Sequence, residues 1–325
     1  PTRRSSDLAC VPFFVTSQSG NLRRDCPTNA AITPTGSSSD FVTYFWLDPD
    51  NNSNIYYAGQ DRLYKSNNST NVTTAVGTGG TQWRNLGTLP GTEWLNTMTT
   101  TRGAYSAASN LFIGGDEGGV YRLPNPANAT NLGSMVTITP AGATTGFPSI
   151  VSGLSVHPTN PNILLAGCAN FGIPSLFLTT NATAGSPTWV NVERNIAALS
   201  VRSVAVVEAG GNTLYVAGTA RGLFTSPDPT TTDWTRVGTT TIGFAVVSSL
   251  RYRPADNKLL VGTHGNGMFM VDVLPPTLPV ELIVFEGHMS NEIIELTWKT
   301  ASEENNKGFE VQRSLNGTDF EAIGF

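Results

Sequence analysis

Few side chains in this sequence are equipped for chemistry, because only 13% of its residues are charged. Asp61, Asp116 and Glu117 follow short apolar runs that end in glycine, and Asp228 and Asp233 flank a Thr-rich turn. Two carboxyl groups facing each other across a cleft can hydrolyse a glycosidic bond, one as acid and the other as base or nucleophile. Asp61, Asp116 and Glu117 are therefore candidate catalytic residues, although acids at such positions also serve as turn formers. The stretch Gly114-Gly115-Asp116-Glu117-Gly118-Gly119 lacks the regularly spaced oxygen ligands of a calcium loop and reads as a Gly-rich hairpin. His157, His264 and His288 are scattered, and there is no HExxH, no GxSxG with triad partners and no P-loop. No CxxC or Cys/His cluster has zinc-ligand spacing, so neither a metal nor a cofactor is expected. Cys10 and Cys26 either close a loop or remain free, whereas Cys168 lies in an apolar run and reads as a small buried hydrophobe. Trp94, in Gly91-Thr92-Glu93-Trp94-Leu95-Asn96, is the candidate for stacking on a ligand, with burial inside the fold as the alternative.

The elements that must position these groups are strands. Hydrophobic residues make up 39% of the 325, enough for a substantial core, and 33 Gly with 20 Pro supply many turns. No helical apolar period persists over a useful length, and no run reaches the roughly 18 apolar residues of a membrane span. The formal net charge of −5, without a basic stripe, argues against a nucleic-acid partner.

Five apolar runs ending in glycine repeat along the chain, at Ile55-Tyr56-Tyr57-Ala58-Gly59, Leu111-Phe112-Ile113-Gly114, Ile163-Leu164-Leu165-Ala166-Gly167, Leu214-Tyr215-Val216-Ala217-Gly218 and Leu259-Leu260-Val261-Gly262. Their glycines lie 55, 53, 51 and 44 residues apart, and each run is followed by a second short strand such as Gly222-Leu223-Phe224-Thr225-Ser226. A β-rich segment precedes most of these hairpins, and a tryptophan strand beginning at Trp83, Trp189 or Trp234 follows several. Four-stranded units of this length match propeller blades. The expected fold is all-β, with blades near 40–92, 104–149, 151–198, 201–246 and 247–273 and a remnant at 9–39.

The segment Ser226-Pro227-Asp228-Pro229-Thr230-Thr231-Thr232-Asp233-Trp234 resembles the Asp-box, the S-x-D-x-G-x-T-W hairpin of sialidase-like and sortilin-like propellers. Residues 180–189, with Asn181 and Trp189, form a looser copy, and 66–83 a stretched one. The resemblance covers about residues 40–273. It implies structural roles for Ser226, Asp228, Trp234, Asn181 and Trp189: the Asx side chain bonds its own turn and the tryptophan packs between blades. Tyr121-Arg122-Leu123-Pro124 resembles the Tyr-Arg-Ile-Pro sequence of sialidases, but it occupies the same repeat position as Gly222-Leu223-Phe224-Thr225 and reads as a hairpin strand. Xyloglucanase-like hydrolases share this kind of blade, which keeps glycoside hydrolysis as the alternative function.

Composition changes near residue 274. Residues 281–325 hold nine acidic and three basic residues, against 15 and 16 in the preceding 280. The Pro-rich stretch 274–279 reads as a stiff linker between the two regimes. Beyond it, Leu278-Pro279-Val280-Glu281-Leu282, the run from Trp298 to Asn306 and Gly308-Phe309-Glu310-Val311-Gln312-Arg313-Ser314 resemble a fibronectin type III-like module. That module precedes the sorting domain in proteins exported by the type IX route of Gram-negative bacteria. The resemblance implies a secreted or cell-surface location and a sandwich that continues past residue 325. Residues 1–8 resemble translated sequencing-adapter sequence and are set aside. The leading expectation is a noncatalytic recognition or adhesion propeller whose partner is an extracellular polysaccharide or protein.

Overall fold

The computed structural model describes residues 12–26, 29–139, 147, 149–273, 282–291, 293–301 and 308–324. The chain divides into two compact units, Pro1–Leu274 and Pro275–Phe325. Among the described residues no helix is long and apolar enough to cross a membrane.

The first unit is a stack of six antiparallel sheets arranged as the blades of a propeller. β1 (Phe13–Ser17), β2 (Asn21–Asp25) and β3 (Ala30–Ala31) form the first sheet. β4 (Phe45–Leu47), β5 (Ile55–Gly59), β6 (Arg62–Ser66) and β7 (Arg84–Thr88) form the second. The third holds β8 (Leu95–Thr100), β9 (Asn110–Gly115), β10 (Val120–Pro124) and β11 (Val136–Thr137). The fourth holds β12 (Val151–Val156), β13 (Leu164–Cys168), β14 (Leu176–Thr179) and β15 (Val190–Asn191). β16 (Val201–Ala209), β17 (Asn212–Thr219), β18 (Gly222–Ser226) and β19 (Thr235–Val237) make the fifth. β20 (Val246–Arg253), β21 (Lys258–His264) and β22 (Met268–Asp272) make the sixth. The five apolar runs read from the sequence are the central strands β5, β9, β13, β17 and β21. The additional sheet comes from the 9–39 segment, which the sequence presented as a remnant.

Equivalent hydrogen bonds identify the strands of that additional sheet. Ile138 N donates to Val120 O at 2.8 Å and Val192 N to Leu176 O at 2.9 Å, tying the residue after a fourth strand to the third strand of the same sheet. Ile32 N donates to Leu22 O at 2.9 Å in the same way. Thr139 and Thr33 also match, each hydroxyl accepting from the third strand at 2.8 Å. Thus β1, β2 and β3 correspond to strands two, three and four of a complete blade.

Tryptophans bolt the second, fourth and fifth sheets to the one before each. Trp83 Nε1 donates to Ile32 O at 2.6 Å, Trp189 Nε1 to Ile138 O at 2.7 Å and Trp234 Nε1 to Val192 O at 2.7 Å. Trp83 and Trp234 are buried and Trp189 is half-buried. A buried indole contributes a large apolar area, and its N–H needs an acceptor. Each acceptor here is the carbonyl that ends the neighbouring blade. The first strands face the axis: β8 packs on β12, β12 on β16 and β16 on β20. Arg251 brings β20 to β4, donating to the Tyr44 hydroxyl at 3.3 Å and standing 5.4 Å over the Trp46 ring.

Cys168 is a free, buried thiol that burial pushes up to about 12. Cys26 is disulfide-bonded. Cys10, with residues 1–8, lies outside the described residues, as do the linker 274–279 and Glu303 to Asn306.

The second unit contains two antiparallel hairpins, β23 (Leu282–Ser290) with β24 (Ile293–Thr300) and β25 (Val311–Ser314) with β26 (Phe320–Gly324). The Trp298 and Phe309 rings meet edge to face, 5.7 Å apart.

Candidate functional site

The loop from β7 to β8 carries Trp94, and it is held by the β9–β10 turn through paired hydrogen bonds. Trp94 N donates to Asp116 Oδ1 at 2.7 Å, while Asp116 N donates to Trp94 O at 3.0 Å. Thr92 Oγ1 donates to Glu117 Oε1 at 2.7 Å. From beneath, the buried Glu93 accepts from both Glu117 N and Gly119 N at 3.0 Å. Gly118 (φ +96°) makes the tight turn possible, and a Cβ there would stand 2.0 Å from the Phe147 carbonyl oxygen. The second blade holds the loop from its other side, with Leu95 N donating to Gln60 O at 2.9 Å and Leu89 N to Asp61 O at 2.7 Å.

Trp94 stays 39% exposed despite this clamp. A loop tied by its backbone and by Thr92 to Asp116 and Glu117 presents an exposed aromatic residue at little further cost in ordering when a ligand stacks on it. Three sequence candidates, Trp94, Asp116 and Glu117, thus converge. Asp61 joins them through its backbone carbonyl, while its side chain lies 3.9 Å from Arg62. Burial raises the Glu93 carboxyl above its usual range despite the two amides, and burial with the nearby Glu93 pushes Tyr121 up to about 12. Glu93 carries no signal in the sequence beyond being an acid immediately before Trp94.

The other named residues lie elsewhere and bond within their own turns. Asp228 Oδ1 accepts from Thr230 N at 3.0 Å and from the Thr230 hydroxyl at 2.6 Å, while Oδ2 accepts from Thr231 Oγ1 at 2.9 Å. The Thr230 hydroxyl is the main cause that holds the Asp228 carboxyl below its ordinary value. Ser226 Oγ donates to Thr232 O at 3.1 Å. Asn181 Oδ1 accepts from Thr188 N at 2.9 Å and Thr179 Oγ1 at 2.8 Å. His157 instead reaches the next blade: Nδ1 accepts from Thr159 N at 3.2 Å, Nε2 lies 2.8 Å from Thr213 Oγ1 in β17, and burial lowers its pKa. No group of three or more His, Cys, Asp or Glu that could hold a metal occurs among the described residues.

A second concavity lies on the axis, about 140 Å³ in volume, where Trp46, Arg102, Arg251 and Tyr252 join the inner strands. Arg102 there is committed to Asp50, at 2.8 Å and 3.2 Å. Burial would raise the Asp50 carboxyl, but the Arg102 guanidinium and the Gly103 amide outweigh it and hold the group low. Trp46 Nε1 is likewise committed, to Thr100 Oγ1 at 3.1 Å. These contacts lock neighbouring blades together.

No family model matches the sequence, and no curated protein matches it. Solved structures do resemble the fold. One is described as the extracellular domain of a hybrid two component system from B. thetaiotaomicron, with a TM-score of 0.51 and 17% identity over 81% of this chain and 32% of that one. Another is a chain from the outer coat vertex of COPII on membranes, with a TM-score of 0.50 and 11% identity over 97% of this chain and 88% of that one. At these identities the likeness speaks to the fold alone, and it agrees with the propeller.

Proposed function

We propose that this propeller is a noncatalytic recognition module of a secreted or cell-surface protein, with extracellular polysaccharide as its ligand. The observation that carries the reading is the loop that keeps Trp94 39% exposed while Asp116 holds the Trp94 backbone and Glu117 holds Thr92. An aromatic face stacks on a sugar ring, and carboxylates accept from sugar hydroxyls. Asp116 and Glu117 each have one oxygen engaged in holding the loop, which suits binding better than proton transfer. The extracellular-domain neighbour agrees with such a role.

The same reading assigns the blades to the Asp-box, sortilin-like type, supported by the turn bonds of Asp228 and Asn181 and by the tryptophans between sheets. It takes the second unit as part of a fibronectin type III-like sandwich of a type IX-exported protein, supported by the motifs around Trp298 and Phe309. A polysaccharide panel, scored for both retention and reducing-end release, tests the function. Retention without release is expected. Release that disappears in Asp116→Asn or Glu117→Gln would replace the reading with glycoside hydrolysis.

A further inference from the structure

A further pocket lies at the opposite end of β6 and β7 from the Trp94 loop. It encloses about 240 Å³ between Lys65 at the end of β6, Arg84 at the start of β7, the 77–80 turn, Gln82 and residues 127–130 of the third blade. Lys65 is only 5% exposed. Its ammonium donates to Ala127 O, a carbonyl that also accepts from Asn67 Nδ2 at 2.7 Å. An ammonium has three donors, and this shared carbonyl is the acceptor Lys65 has among the described residues.

Arg84 stands directly opposite Lys65 in the strand pairing. Like charges facing each other across strands repel, and a buried charge is costly unless it is paired. No carboxylate lines the pocket, and neither cation forms an ion pair among the described residues. Burial and the Arg84 charge accordingly push the Lys65 ammonium down to about 8. In a chain whose net charge is −5, this is a local inversion of sign inside a concave, polar recess. An anion would neutralise both cations and give the spare ammonium donors acceptors.

We propose that Lys65 and Arg84, with the 77–80 turn as the opposing wall, form a binding site for a small oxyanion of the sulfate or phosphate class. The inference stands apart from the polysaccharide reading, since it uses none of the Trp94 face. Sulfate also stabilises proteins generally by exclusion from their surface, so the test must separate that effect from occupancy of a site. The melting temperature of the full chain is followed while sodium sulfate replaces sodium chloride at matched ionic strength, in wild type, Arg84→Gln and Lys65→Met. A saturable rise in wild type, with the apparent affinity reduced about tenfold or more in Arg84→Gln, is expected from loss of a charge-assisted contact. Arg84 is half-buried and holds no other partner among the described residues, so this variant keeps the test sound if Lys65→Met alters folding. A non-saturating rise, or one unchanged in both variants, would overturn the site. A sulfated oligosaccharide that competes with inorganic sulfate would show that the oxyanion can be carried on a sugar. Failure to compete would support a free ion in the same site.

Discussion

The fourth blade and the sixth begin their third strands at equivalent places but treat them differently. Leu176 in β14 is fully buried, because Val192, just past β15, covers it from the outer side. Leu22, Val120 and Leu223 sit at the matching positions of other blades and are buried as well. Met268, the matching residue of β22, is 77% exposed, and among the described residues no strand pairs with the outer side of β22. The contrast teaches that the first three strands of a blade do not bury the start of the third by themselves. The fourth strand does so, and at three of the junctions the tryptophan of the next blade then seals that fourth strand. Stability should therefore be concentrated where both seals are present.

Trp83→Ala removes such a seal outright. It should cost about 3–5 kcal/mol and loosen the first sheet from the second, read by chemical denaturation and by proteolysis near residue 30. Leu176→Ala should cost about 2–5 kcal/mol on the same assay, because its pocket cannot collapse around a missing side chain. If the Trp83 and Leu176 variants melted like wild type, the sealing account would fail. Glu93→Ala is expected to lose about 1–3 kcal/mol by leaving the Glu117 and Gly119 amides without their acceptor. The same change should also free the Trp94 loop, visible as faster amide exchange at Gly119.

A smaller effect concerns pH. The Lys65 ammonium titrates at about 8 in the fold and near 10.5 when unfolded, so between these values the unfolded chain binds more protons. Stability from this group should rise as pH climbs from about 8 to 10.5, and Lys65→Met should remove that rise. An identical pH profile in the variant would mean that Lys65 is not held in the recess as described. The smallest effect belongs to the open edge: Met268→Ala should change stability by no more than about 0.5 kcal/mol. A cost like that of Leu176→Ala would show that β22 is covered after all.

The sequence revealed what repeats and hid what does not. Central strands announced themselves as apolar runs that end in glycine; β5, β9 and β13 are buried along their length, and in β9 the neighbouring sheet crowds that glycine, where a Cβ on Gly114 would meet Val151 at 2.6 Å. The first sheet was harder to read, since Phe13–Ser17 and Asn21–Asp25 lack the Gly-terminated apolar run and show mostly exposed or half-buried side chains. The inner strand Leu95–Thr100 lies upstream of the expected start at 104, because its Thr-rich sequence carries no apolar alternation. Trp94, Asp116 and Glu117 were each visible as residues, but their convergence depends on hydrogen bonds between loops that sequence spacing does not encode. The Lys65 and Arg84 pair was hidden for a similar reason. Nineteen positions apart in the chain, they become neighbours only when β6 pairs with β7.

The central claim is that the clamped Trp94 face holds an extracellular polysaccharide. Its most direct test is an equilibrium titration of wild type and Trp94→Ala with a polysaccharide retained in the panel, with the melting curve of each recorded in parallel. The account predicts that Kd rises about tenfold or more, as expected for loss of an aromatic contact, while the melting temperature stays within about 2 °C. An unchanged Kd in a variant that melts like wild type would contradict it.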